Sequence, residues 1–180
     1  MCLAIAKPAG VAVPEANLHA GWISNSDGGG FAFIKDGKVE IRKGFDKWKS
    51  FLESYTKAAE ENKDSPFAIH FRIRSTGGKE MGNTHPFRYA HGCVIHNGTI
   101  SGTGADTYKG ETDTQRFIQK FGSHFTYDFV KEHLKDLTEA IGYNKLVFLY
   151  PDKRILIVNE SGGLWHDDVW YSNHSFKKRG

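Results

Sequence analysis

Tight-turn residues join short apolar runs along most of this chain, and that punctuation restricts it to a sheet-rich fold. Residues 29–34 and 38–42 are strand-like and flank Lys35-Asp36-Gly37, in which Asp36-Gly37 is a hairpin turn pair. Residues 145–150 and 154–159 flank Pro151-Asp152-Lys153 in the same way, and a strand over 93–96 is expected to turn at Asn97-Gly98 into one over 99–101. Two more apolar strands are expected at 3–6 and 66–72. Trp48, Phe51, Leu52 and Tyr55 recur at helical spacing, which predicts an amphipathic helix over 46–62. Further helices are predicted over 112–121 and 127–141. Residues 75–89 read as a long loop, of a length that is uncommon unless it has a function. From Trp165 to Phe176 the pattern is one of short strands and turns. Strands, helix, strands, helices, strands is the order of an α+β fold with antiparallel sheet. Neither GxGxxG nor GxxxxGK[ST] occurs, so a nucleotide-binding fold has no support.

The 180 residues suffice for a single domain, taken here as 1–180, and no linker or internal repeat divides them. Twenty glycines agree with many turns and close backbone approaches. A net charge of +3, with Lys177-Lys178-Arg179 as its only basic run, does not point to nucleic acid. No stretch approaches the ~18 apolar residues of a membrane span. The first residues carry no basic segment ahead of their apolar run, so no signal peptide is expected. Two cysteines, Cys2 and Cys93, are too few for a disulfide scaffold and include no CxxC pair for zinc. A reducing, cytoplasmic location is the expectation, with a free thiol at position 2.

Cys2 follows the initiator methionine directly. If Met1 is removed, thiol and α-amine share one residue. An α-amine with a pKa of about 7.7–8.0 is a competent general base near neutral pH, and it can serve its own nucleophile without a histidine. Alone, Cys2 is just as readily an ordinary small residue after Met. Four further segments change that reading: His70-Phe71-Arg72-Ile73-Arg74-Ser75-Thr76-Gly77-Gly78, Asn83-Thr84-His85-Pro86-Phe87, Val94-Ile95-His96-Asn97-Gly98, and Thr112-Asp113-Thr114 opening a helix.

In this order, with the Asp27-Gly28 turn and the closing Trp170-Tyr171-Ser172-Asn173-His174-Ser175-Phe176, they resemble the class II glutamine amidotransferase domain. That family is a member of the N-terminal nucleophile hydrolases, and the likeness spans residues 2 to about 176. It implies a four-layer αββα sandwich of mostly antiparallel sheets. It also implies hydrolysis of the side-chain amide of L-glutamine through a Cys2 thioester, without cofactor or metal. Asn97 and Gly98 would form the oxyanion hole. Arg72 would bind the glutamine α-carboxylate, with Ser75 and Thr76 as secondary contacts, and Asp113 would pair with the α-ammonium. The ammonia would pass to a separate synthase protein; neither nucleic acid nor membrane is an expected partner.

Each residue also has a plainer reading: a turn for Asn97-Gly98, a surface arginine at a strand end for Arg72, a helix-start aspartate for Asp113. His85 and His96 are expected to brace the loop and sheet, and Cys93 to be a buried small hydrophobe. The chain departs from the family at Ile73, where many members carry Trp, at Ser75-Thr76, often Thr-His, and at an extra Arg74. An N-terminal-cysteine amidase for another amide, and a catalytically silent binding module of the same fold, are the competing readings.

Overall fold

The computed structural model describes residues 2–73, 81–104 and 110–177. The first strand, β1 (Leu3–Lys7), is buried throughout and lies inside a six-stranded antiparallel sheet. Its neighbours are β4 (Phe67–Phe71) and β10 (Val169–Tyr171). β2 (Gly29–Lys35) and β3 (Lys38–Phe45) extend the sheet beyond β4 as the expected hairpin, and β9 (Leu164–His166) closes the other edge. A second sheet carries β5 (Phe87–Tyr89), β6 (Gly92–Asn97), β7 (Lys145–Leu149) and β8 (Ile155–Val158) in chain order, again all antiparallel.

Strand alternation sorts the side chains. Leu3, Ile5, Phe31, Phe33, Phe67, Ile69 and Phe71 cluster with helices α1 (Glu15–Ser24) and α2 (Trp48–Glu61) through Trp22, Phe51 and Tyr55. Burying an aromatic or large aliphatic side chain of this kind stabilises by roughly 1.5–3 kcal/mol. The opposite face of the same strands is small: Ala4, Ala6, Ala32 and Ala68 meet Cys93, Ile95, Val147, Leu149 and Ile157 of the second sheet. A third cluster joins the far face of that sheet, with Val94, Leu146 and Phe148, to Phe117, Phe125, Val130 and Ile141. These come from α3 (Asp113–Phe121), α4 (Tyr127–Glu132), α5 (Leu134–Ile141) and the segment between α3 and α4. The architecture is therefore mixed α+β, two antiparallel sheets flanked by helices. No helix among the described residues is long and apolar enough to cross a membrane.

Four expectations change. Helix α1 was not expected; Pro14 precedes it with φ of −56°, and Leu18 and Trp22 give it a buried face. The hairpin across Asn97-Gly98 does not form: β6 pairs with β5 and β7, and 99–101 is not strand. Gly98 has φ of +139°, outside the geometry of a two-residue hairpin, and the chain leaves the sheet there. The helix over 127–141 is divided at His133 (φ −100°, ψ 21°), whose ring Nδ1 lies 3.0 Å from the Phe129 carbonyl oxygen that its own N–H also reaches. In the long loop, Met81–Asn83 is a 3₁₀ turn and Phe87–Tyr89 is β5; 75–80 lie outside the described residues.

Candidate functional site

Cys2 immediately precedes β1. Leu3 pairs with Phe71 of β4, so Cys2 and Arg72 emerge together at one end of the first sheet. The Cys2 Sγ donates to the Ile73 carbonyl at 3.4 Å, and the Cys2 carbonyl accepts from Asn173 Nδ2 at 2.7 Å. Burial pushes the thiol pKa up, so it is protonated near neutral pH and reacts only when a base takes its proton. The Arg72 backbone is fixed on both sides: its N–H donates to Gly28 at 2.8 Å and its carbonyl accepts from Asp27 at 2.9 Å. The Asp27-Gly28 turn thus anchors the strand end that carries the arginine.

The second sheet supplies Gly98 where β6 ends, and α3 supplies Asp113. Thr112 caps α3 through a capping box with Gln115: each side chain bonds the other's backbone N–H, at 3.1 and 2.8 Å. Asp113 Oδ1 accepts from the Thr114 N–H at 2.8 Å and Oδ2 from the Ile100 N–H at 2.7 Å. The carboxylate therefore ties α3 to the segment that follows Gly98, and it also faces the cleft. Cys2, Arg72, Ile73, Gly98 and Asp113, with Asn83, His85, His96 and Thr112, line one cleft of about 40 Å³. That is room for a water or two. An amino acid therefore requires the cleft to widen. Larger concavities of about 820, 450 and 350 Å³ elsewhere contain none of the predicted site residues among those described.

Behind the cleft lie three buried histidines, His70, His85 and His96. Asn144 Nδ2 donates to Ile141 at 2.6 Å, which turns Oδ1 towards His96 Nε2 at 2.9 Å; that nitrogen must carry the proton. The His96 Nδ1 of a neutral ring then accepts from Thr114 Oγ1 at 2.8 Å, and His85 Nε2 donates to the same hydroxyl at 3.2 Å. The histidines brace the site, as expected of His85 and His96. Burial lowers all three pKa values, that of His70 to about 3, so they are neutral. The Asn144 Oδ1 that accepts from His96 also occupies the place a Cβ on residue 98 would take, so glycine is required there. Cys93 is buried between the sheets, as a small hydrophobe.

Asn97 is 1% exposed at the end of β6. Its Nδ2 lies 2.6 Å from Ser172 Oγ, and among the described residues its Oδ1 has no hydrogen-bond partner. Of the predicted residues, Cys2, Arg72, Gly98 and Asp113 share the cleft, Asn97 precedes Gly98 in the chain but is buried and does not line it, and Ser75 and Thr76 lie outside the described residues. Thr114, Asn144, Ser172 and Asn173 have no assigned role in the sequence pattern, although they make the contacts that hold the site. Ser172 and Asn173 reach it only because β10 pairs with β1 across most of the chain length. Among the described residues no group of three or more His, Cys, Asp or Glu side chains could hold a metal ion. The sequence matches no protein-family model and gives no significant match to a curated protein.

Proposed function

We propose that the protein hydrolyses the side-chain amide of L-glutamine, as an N-terminal nucleophile hydrolase resembling the class II glutamine amidotransferases. The observation that carries this reading is the convergence of Cys2, Arg72, Gly98 and Asp113 from four separate segments on one cleft. The arrangement of two antiparallel sheets flanked by helices, with the cysteine opening a buried strand of one sheet, agrees with an αββα sandwich of that class.

In this mechanism removal of Met1 frees the Cys2 α-amine, which takes the thiol proton as sulfur attacks the amide carbon. Negative charge on the tetrahedral oxygen is met by the Asn97 NH₂ and the Gly98 N–H. Collapse breaks the C–N bond, the α-ammonium returns its proton, and ammonia leaves a γ-glutamyl thioester. Water, deprotonated by the same amine, then adds to the thioester carbon; the C–S bond breaks, the ammonium returns its proton to the Cys2 sulfur, and glutamate leaves. Arg72 binds the substrate carboxylate with its planar fork and Asp113 the ammonium. The ammonia acceptor in this reading is a synthase outside these residues, so the purified chain releases ammonia and glutamate in equal amounts.

Intact mass followed by a glutamine-analogue electrophile tests the mechanism. Loss of Met1 and a single adduct on Cys2 are expected, with both labelling and hydrolysis abolished in Cys2→Ala. Retained Met1 with no adduct would sink it. A panel of glutamine, asparagine and γ-glutamyl amides checks the substrate: a preference for any amide other than glutamine replaces this reading with that of a different N-terminal-cysteine amidase.

A further inference from the structure

Three positions attract a role beyond those above. A groove of about 450 Å³ lined by Ile100, Phe117, Phe121 and Phe129 is apolar, but nothing bound to it identifies an occupant. Lys7, pushed to about 8 by burial, donates to the Pro8 and Ser65 carbonyls, which accounts for it as a structural lysine. The buried contact between Asn97 and Ser172 carries an inference further.

Ser172 Oγ accepts from the Ala4 N–H at 2.9 Å, and the Ser172 N–H donates to the Ala4 carbonyl at 2.9 Å. The same oxygen lies 2.6 Å from the Asn97 amide. One hydroxyl thus joins the strand that begins just after Cys2 to the end of the strand that carries Asn97, across the two sheets. With Asn97 Nδ2 towards Ser172, the serine oxygen receives two N–H groups, and among the described residues its own proton has no acceptor and the buried Asn97 Oδ1 no donor. Two unsatisfied groups are left in one buried contact, which is costly. The two ends of a primary amide have nearly the same size and shape. Turned end for end, Asn97 Oδ1 accepts the Ser172 proton, and the serine is satisfied as both donor and acceptor. Both Asn97 N–H groups then point away from Ser172.

We infer that Ser172 is a positioning residue: its hydroxyl donates to Asn97 Oδ1, holds the amide NH₂ free for the oxyanion, and sets its distance from the Cys2 strand. The inference rests on the hydrolase reading of the cleft, and it concerns a residue that touches no substrate atom. Misplacing a catalytic group by about 1 Å costs on the order of 100-fold in rate.

Glutamine hydrolysis by Ser172→Ala, Asn97→Ala and the double variant tests it, alongside thermal melts and the rate at which iodoacetamide alkylates Cys2. Alkylation forms no oxyanion, so it is expected to be unchanged in Ser172→Ala, whereas kcat falls by about 100-fold with KM within about twofold. The double variant is expected to be no slower than Asn97→Ala alone, because Ser172 acts through that residue. A loss confined to KM, or losses that multiply in the double variant, overturns the inference. Loss of alkylation together with kcat also overturns it, since that marks general damage to the site. If the wild-type chain hydrolyses no amide, the parent reading fails first. The orientation is then read without turnover by neutron diffraction: a deuteron from Ser172 towards Asn97 is expected, and amide deuterons directed at Ser172 instead would refute it.

Discussion

A methyl group added to Gly98 would lie 2.1 Å from Oδ1 of Asn144, at a φ of +139° that L side chains rarely adopt. Gly98→Ala therefore meets a clash and a strained backbone together, and each such strain costs about 1–3 kcal/mol. The expected result is a melting temperature lower by several degrees and loss of amide hydrolysis. Asn144→Ala relieves the clash but not the backbone, and it also removes the Asn144 bonds to His96 and Ile141. Gly98→Ala is therefore expected to cost less when added to Asn144→Ala than when added to the wild type, and an equal cost in both would mean that φ alone sets it. Asn173 offers a contrasting case. It donates to the Cys2 carbonyl at 2.7 Å while its Oδ1 accepts from the Ser175 N–H and hydroxyl. Asn173→Ala frees the residue that bears the nucleophile, and slower Cys2 labelling by a glutamine-analogue electrophile is the readout. Asn97-Gly98 reads from the sequence as the turn of a hairpin, whereas in the structure it only ends β6, and its partners were not legible. Asn144 and Ser172 meet it through strand pairings between β6 and β7 and between β1 and β10, and no local pattern encodes those.

Among the elements, α3 joins ordinary helix chemistry most directly to the site. Thr112 and Gln115 cap each other, and Asp113 and Thr114 in the first turn reach Ile100 and His96. Thr112→Ala removes a cap worth about 1 kcal/mol, and a loss of that size in urea unfolding is expected, with Thr112→Ser close to wild type. Because the same turn holds the segment after Gly98, kcat falls in Thr112→Ala along with stability; unaffected turnover would separate the cap from the site. Helix α3 was legible because its start signal, Thr112-Asp113-Thr114-Gln115, is local. The strands of both hairpins were legible for the same reason. Helix α1 was not, because its buried face depends on Trp22 meeting Phe51 of α2 and Phe71 of β4, residues distant in sequence, on one face of the first sheet. The break between α4 and α5 escaped because it turns on one histidine ring beside a carbonyl.

At the scale of the whole molecule, the buried histidines couple the fold to pH. His70 is fully buried, and its ring centre lies 4.3 Å from that of His85. Burial holds its pKa at about 3 in the folded protein, against about 6.5 in an unfolded chain. The lowered value fixes the sign. Above pH 6.5 both states are neutral and the group does not alter stability. Between pH 6.5 and about 3 the unfolded chain binds the proton and the folded one does not, so stability falls as pH falls. Each such histidine contributes a slope of about 1.4 kcal/mol per pH unit, and His85 and His96 are shifted in the same direction. Against a total stability of about 5–15 kcal/mol, unfolding within a few pH units of acidification is expected. Urea midpoints measured from pH 8 to pH 4 check it. His70→Leu removes one titrating group, so its midpoints fall less steeply below pH 6.5 than those of wild type. Parallel curves for the two proteins would show that His70 takes up its proton in the folded state, and that the site behind the cleft is wetter than its packing implies.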